Sequence, residues 1–178
     1  VTAYAPPVPG EEITANNVAT QFVIVRPLKF VLFDQTHGAD NIAWYSVWVT
    51  NLIQKGYIVD THTSGPITSA VLASYDVFVI LRARNSYASD ELWVIQNFVF
   101  SGGGLLVIGD DVPLIYTDLT GFAGITWMSG GSPGVTTNIT PHEITSGVSS
   151  VFLPSPDAKI SVTGSAQDLI RDTAGSVT

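Results

Sequence analysis

The sequence predicts an α/β domain: a three-layer, flavodoxin-like parallel sheet with a peripheral antiparallel addition, preceded by a short β segment. Continuous apolar runs of strand length stand at residues 30–33, 77–81 and 105–108, each with Gly or Asp at one end or both. Between them lie segments whose apolar residues recur at helical spacing. The connections are short, and right-handed crossovers between such units give a parallel sheet with helices on both faces. The stretch Ser101-Gly102-Gly103-Gly104-Leu105-Leu106-Val107-Ile108-Gly109-Asp110-Asp111 is the clearest of these units. It reads as a strand buried on both faces, with two carboxylates at its carboxyl end, where ligands sit in open α/β sheets.

Taken in order, residues 1–27 form a separate β segment or linker. Pro6, Pro7, Pro9 and Gly10 are turn punctuation, and residues 18–25 read as a strand that Pro27 ends. The domain proper covers residues 28–178. Residues 30–33 are a buried strand ending in Asp34, followed by the loop Gln35-Thr36-His37-Gly38-Ala39. Asp40 or Asn41 can cap the next helix, in which Ile42, Tyr45, Val49, Leu52 and Ile53 mark one face. Trp44 and Trp48, one turn apart, read as packing residues. Lys55 and Gly56 close that helix. A short strand at 57–59, a short helix at 66–74 and a strand at 76–81 follow. Ser89 then caps a helix with Asp90 and Glu91 in its first turn and Leu92, Ile95, Phe98 and Val99 inward. Pro113 opens a short helix running to Leu119. Beyond it Gly, Thr and Ser dominate, with short strands at 136–139, 151–153, 159–162 and 168–170 forming the antiparallel addition.

Composition narrows the function classes. The chain has 178 residues and no cysteine; 46% of it is hydrophobic and only 12% charged. Disulfides, Cys–zinc sites and thiol nucleophiles are excluded. Fifteen acids against seven bases give a net charge of −8, which argues against nucleic acid and anionic membranes. No apolar run is long enough to insert in a bilayer.

Two resemblances enter here. Gly10-Glu11, then Thr14-Ala15-Asn16-Asn17, then an alternating strand, resemble the last hairpin of CARDB-type, cell-adhesion-related β-sandwich domains. Tyr75-Asp76-Val77-Phe78-Val79-Ile80, the acid-capped helix, the Gly-Gly-Gly-Leu-Leu-Val-Ile-Gly-Asp run and His142-Glu143-Ile144-Thr145-Ser146-Gly147-Val148 resemble the class I glutamine amidotransferase-like superfamily, in particular its non-catalytic secreted or scaffold members. The chain departs from that pattern in lacking the catalytic Cys, in carrying Glu143 where relatives have Pro, and in ending shortly after Asp172-Thr173-Ala174-Gly175. With Val1 at its start, the chain reads as a piece of a longer secreted or cell-surface protein, truncated at its C-terminus. No cofactor is expected.

Candidate ligand-binding residues are Asp34, His37, Arg82, Arg84, Asp110 and Asp111, all at or just after carboxyl ends of expected strands. A flavodoxin-like order brings Asp34 and His37 near Arg82 and Arg84. His142 is added from its resemblance to a His-Pro-Ile-Thr turn. The cluster admits a structural Asp–Arg network, a cleft in which arginines grip a carboxylate or sugar acid, or a hydrolase or metal-dependent enzyme using Asp34, His37 and Asp110. His62 has no partner that sequence identifies. No nucleophile elbow follows an expected parallel strand, and Gly102–Gly104 precedes its strand rather than cradling a phosphate after it. The function expected is therefore a non-catalytic interaction or ligand-binding domain, for carbohydrate or peptide, of an extracellular or cell-surface protein. The alternative is a structural subunit that self-associates by exchanging a terminal strand. Partners are other domains of the same polypeptide or other surface proteins.

Overall fold

The computed structural model describes residues 2–4, 6, 9–11, 18–20, 29–109, 112–153, 158–175 and 177. Its centre is a four-stranded parallel sheet of β3 (Lys29–Asp34), β4 (Tyr57–His62), β5 (Val77–Leu81) and β6 (Gly104–Ile108), in the order β4-β3-β5-β6. The three-layer, flavodoxin-like α/β fold is thus realised. Alternation along the strands sorts the core into two halves. Val31, Phe33, Val79 and Leu81 face α1 (Ser46–Gln54), meeting Trp48, Val49 and Leu52. Leu32, Phe78 and Ile80 face the other way, toward Leu72 of α2 (Ser69–Leu72), Ile95 of α3 (Ser89–Phe100) and Tyr116 of α4 (Pro113–Thr120). The period of two within each strand therefore serves two helical layers at once.

Several expectations are corrected in detail. The strand β6 lies at the sheet edge, and Leu106 is 40% exposed rather than buried. A parallel strand needs apolar residues for helix cover on either face, but its position in the sheet comes from the crossovers. Strand β4 runs three residues further than expected, to His62. Helix α2 is a single turn, capped by the Thr68 side chain accepting from Val71 N–H. Ser89 is the first residue of α3 rather than its cap; Ala88 holds the cap position, and its N–H donates to Glu91 Oε2 at 2.9 Å. The two tryptophans part company: Trp48 packs edge-on against Phe33 with ring centres 5.3 Å apart, while Trp44 is exposed. Ile53 also faces solvent.

The antiparallel addition is present as ladders of its own. Strand β7 (Ile125–Met128), which the sequence did not suggest, pairs with β10 (Lys159–Val162). Strand β8 (Gly134–Thr136), earlier and shorter than expected, pairs with β9 (Val151–Leu153). The expected strand at 168–170 is reduced to a bridge between Ile139 and Ile170. Trp127 anchors β7: its backbone N–H donates to Thr117 Oγ1 and its indole N–H to Thr120 Oγ1, both on α4. At the N-terminus, β1 (Thr2–Tyr4) pairs antiparallel with β2 (Val18–Thr20). The expected N-terminal strand therefore has a partner within its own chain; its remainder, residues 21–25, lies outside the described residues. No helix among the described residues is long and apolar enough to cross a membrane.

Candidate functional site

The carboxyl end of β3 carries Asp34, whose side chain is fully buried. A buried carboxylate is tolerated only if its lone pairs are filled. Here the chain turns immediately back on it. Thr36 donates to Oδ1 through its N–H at 2.8 Å and its hydroxyl at 2.6 Å. Tyr87 donates its hydroxyl to Oδ2 at 2.5 Å, and His37 Nδ1 lies 2.9 Å from the same oxygen. Burial alone would raise the Asp34 pKa; the hydrogen bonds from Thr36, Tyr87 and His37 outweigh it and hold the carboxyl below its usual value. Tyr87 is pushed the other way, by burial first and then by the Asp34 charge, so it stays a phenol donor.

His37 joins this cluster to α3. Its ring stacks on Tyr87 with centres 3.7 Å apart, and Nε2 lies 3.2 Å from Glu91 Oε2. Glu91 also accepts from Ile67 N–H through Oε1 at 2.8 Å and from Ala88 N–H through Oε2. Burial would raise the Glu91 pKa, but these backbone donors and His37 lower it. The backbone of His37 reaches the β5 loop: its carbonyl accepts from both Arg84 N–H and Asn85 N–H at 3.0 Å. Gly38 makes that approach feasible, because it has a φ of 64° and a Cβ there would lie 3.2 Å from Asn85 Nδ2 and 3.4 Å from Arg84 Cβ.

The arginines do not pair with Asp34. Both turn to Asp40, itself buried, with Arg82 Nη1 at 3.4 Å and Arg84 Nη2 at 3.9 Å. Tyr45 donates its hydroxyl to the same carboxylate at 2.9 Å, and Asp40 N–H donates to Leu81 O. The reason is geometric: Asp34 is already enclosed by its own loop and Tyr87. Asn41, not Asp40, caps the following 3-10 turn, accepting from Ala43 N–H. Arg82 has a φ of 50°, the single described non-glycine residue in the left-handed region, and its N–H donates to Ile108 O. Left-handed backbone at a bulky residue marks a constrained position of the kind found at functional sites. The segment is braced from below by the Tyr116 hydroxyl, which donates to Ala83 O. Arg84 has a 61% exposed side chain.

The structure places Asp34 and His37 in contact and sets the Arg84 backbone on the His37 carbonyl, whereas the Arg82 and Arg84 side chains go to Asp40. Asp110 and Asp111 lie outside the described residues. His142 does not join the crevice contacts; it lies in a loop where its Nδ1 accepts from Ile144 N–H and its N–H donates to Thr145 Oγ1. His62, unassigned from sequence, has Nε2 3.0 Å from Gly65 O. Tyr87, Glu91 and Asp40 were missed as site residues. Glu91 was visible only as a helix-opening acid and Asp40 only as a cap, and Tyr87 gave no signal. Among the described residues no group of three or more His, Cys, Asp or Glu side chains is arranged to hold a metal ion. The two ring nitrogens of His37 point to carboxylates on opposite sides, so the donors do not converge.

No family model matches the chain, and no curated protein matches it. Among solved structures it is similar to the mmIFT52 N-terminal domain, with a TM-score of 0.68 at 14% identity over 82% of this chain and 74% of that one. At that identity the likeness concerns the fold alone.

Proposed function

We propose that this chain is a non-catalytic ligand-binding or interaction domain of a larger secreted or cell-surface polypeptide, taking a carboxylate-bearing partner at Arg82 and Arg84. One observation carries the reading. The groups suited to acid–base chemistry, Asp34, His37 and Glu91, are buried and engaged with one another, whereas the neighbouring group that reaches solvent is an arginine. A planar guanidinium grips a carboxylate through paired N–H donors. The strained backbone at Arg82 and the buried Asp40 beneath it fix both arginines in place before any ligand arrives, which lowers the ordering cost of binding. The missing cysteine agrees with the non-catalytic members of the amidotransferase-like superfamily that the sequence resembles. The low charge and abundant Thr, Ser and Asn suit a surface protein.

The test is a titration of 15N-labelled protein, including arginine side-chain signals, with galacturonate, glucose, and a short peptide bearing either a free or an amidated C-terminus. Galacturonate or the free-carboxylate peptide should shift Arg82 and Arg84, glucose and the amidated peptide should not, and Arg84→Ala should weaken binding by roughly tenfold. Shifts confined to residues 120–134, or chemical conversion of the added compound, would overturn the reading. Mass spectrometry of the secreted fraction of the natural source checks the location, which a purely intracellular protein would refute.

A further inference from the structure

The buried cluster contains a histidine that neither the binding reading nor the fold alone requires in its present form. A neutral imidazole has one N–H. If it sits on Nδ1, it donates to Asp34 and leaves the Nε2 lone pair facing the Glu91 carboxylate at 3.2 Å. If it sits on Nε2, it donates to Glu91 and leaves Nδ1 facing Asp34 Oδ2 at 2.9 Å. The Thr36 hydroxyl, 2.8 Å from Nδ1 and 2.6 Å from Asp34 Oδ1, has one proton and cannot serve both, and it leaves the Nδ1–Oδ2 contact without a proton either way. Only the imidazolium satisfies both carboxylates at once.

We infer that His37 is a positioning residue whose proton sets the placement of the Arg84 loop: as imidazolium it clamps Asp34 to Glu91 and holds its own carbonyl against Arg84 and Asn85, and on losing the proton it releases one side of the clamp. This rests on the reading of Arg82 and Arg84 as the ligand contact, and it makes that contact pH-gated. The groups facing the ring are Asp34 from the end of β3, Thr36 from the same loop, Tyr87 stacked on its face, and Glu91 from α3. Both carboxylates are held below their usual pKa values and stay anionic across the range in which histidine titrates. The phenol of Tyr87 stays protonated there as well. His37 is therefore the member of the cluster whose proton both carboxylates compete for. The motion has a short route to the rim, since the two hydrogen bonds to Arg84 and Asn85 come from the backbone of His37 itself, and Gly38 leaves no slack between the loops.

The test needs no ligand at first. Imidazole 15N signals of His37 and backbone amide signals of Arg84 and Asn85 are followed against pH in the same sample. The amides should move with the same midpoint as the ring, and in His37→Gln, which can donate to one carboxylate but has no proton to lose, they should stay flat over that range. Glu91→Gln gives a second route, because a neutral amide no longer requires the imidazolium, and it too should uncouple the amides from pH. Amides that stay flat while the wild-type ring titrates would overturn the clamp. Galacturonate affinity measured on either side of the ring midpoint should then fall by roughly tenfold on deprotonation. Coupled amides without galacturonate binding at any pH would support the clamp and refute the binding reading, so the two fail separately.

Discussion

The two ends of β3 are each closed by an aspartate, and they behave as opposites. At the carboxyl end Asp34 is fully buried and accepts from Thr36 and Tyr87, with His37 Nδ1 2.9 Å from Oδ2. At the amino end Asp76 sits near the surface, accepting from Phe30 N–H at 2.8 Å and from Lys29 Nζ at 3.0 Å. Both carboxyls are held below their usual pKa, but for different reasons. For Asp76 the backbone donor comes first and the lysine second, at a partly exposed position. For Asp34, burial works against ionisation and several donors must overcome it together. The same residue type is thus a screened surface latch at one end and an obligatory buried anion at the other. The loss of one partner is felt most where the polar network is buried, because there each group depends on its neighbours.

The sharpest way to break this contrast is Asp34→Asn. The amide places N–H donors where Thr36 and Tyr87 also donate, so buried groups lose their partner. Chemical denaturation should show a loss of about 3 kcal/mol. A loss similar to that of Asp76→Asn would erase the distinction between the two ends.

Acid sharpens it. Asp34 and Glu91 have folded pKa values below the usual 3.8 and 4.5. Depressed carboxyl values contribute stability above the unfolded pKa, and that stability is lost as pH falls through the folded values. Thermal melts should therefore fall progressively as pH drops below about 4. The slope of that fall should be shallower in Asp34→Asn.

Next in size comes the amino end's packing. A Cβ on Gly103 would lie 2.4 Å from the Phe98 ring, which is held against the core. Gly103→Ala should cost about 2 kcal/mol through displacement of that ring, with the Arg84 amide shift unchanged.

The smallest effect belongs to Asp76→Asn. It keeps an acceptor for Phe30 N–H and loses only the pairing with Lys29, whose side chain is 53% exposed. The melting temperature should move little, and the remaining difference should vanish in molar salt.

Much of this was legible in the residues. The apolar runs of β3 and β5, the helical spacing of α3 and the strands β9 and β10 follow from local periodicity. Asp34 and His37 could be read because one ends a strand and the other lies on the short loop just past it. The remainder of the site comes from far along the chain: Tyr87 and Glu91 lie 53 and 54 residues from their partners Asp34 and His37. No local pattern distinguishes such a tyrosine from an ordinary loop residue, or such a glutamate from a helix-opening acid. Strand β7 was missed for a related reason. Its four residues stand among glycines, and its pairing with β10 and the docking of Trp127 on α4 are what make it a strand.

The sequence by itself determined the fold class, the exclusion of thiol chemistry and the end of the sheet at which polar groups gather. Each follows from composition or from a period of a few residues, which local sterics and hydrophobic burial translate directly into structure. Only the tertiary structure decided that β6 is an edge strand, that the arginines belong to Asp40, and that His37 lies between two carboxylates. Those outcomes depend on which crossover lands beside which strand. Once β3 and β5 are neighbours, the loops after them must share one small volume, and the buried charges there pair by proximity rather than by sequence.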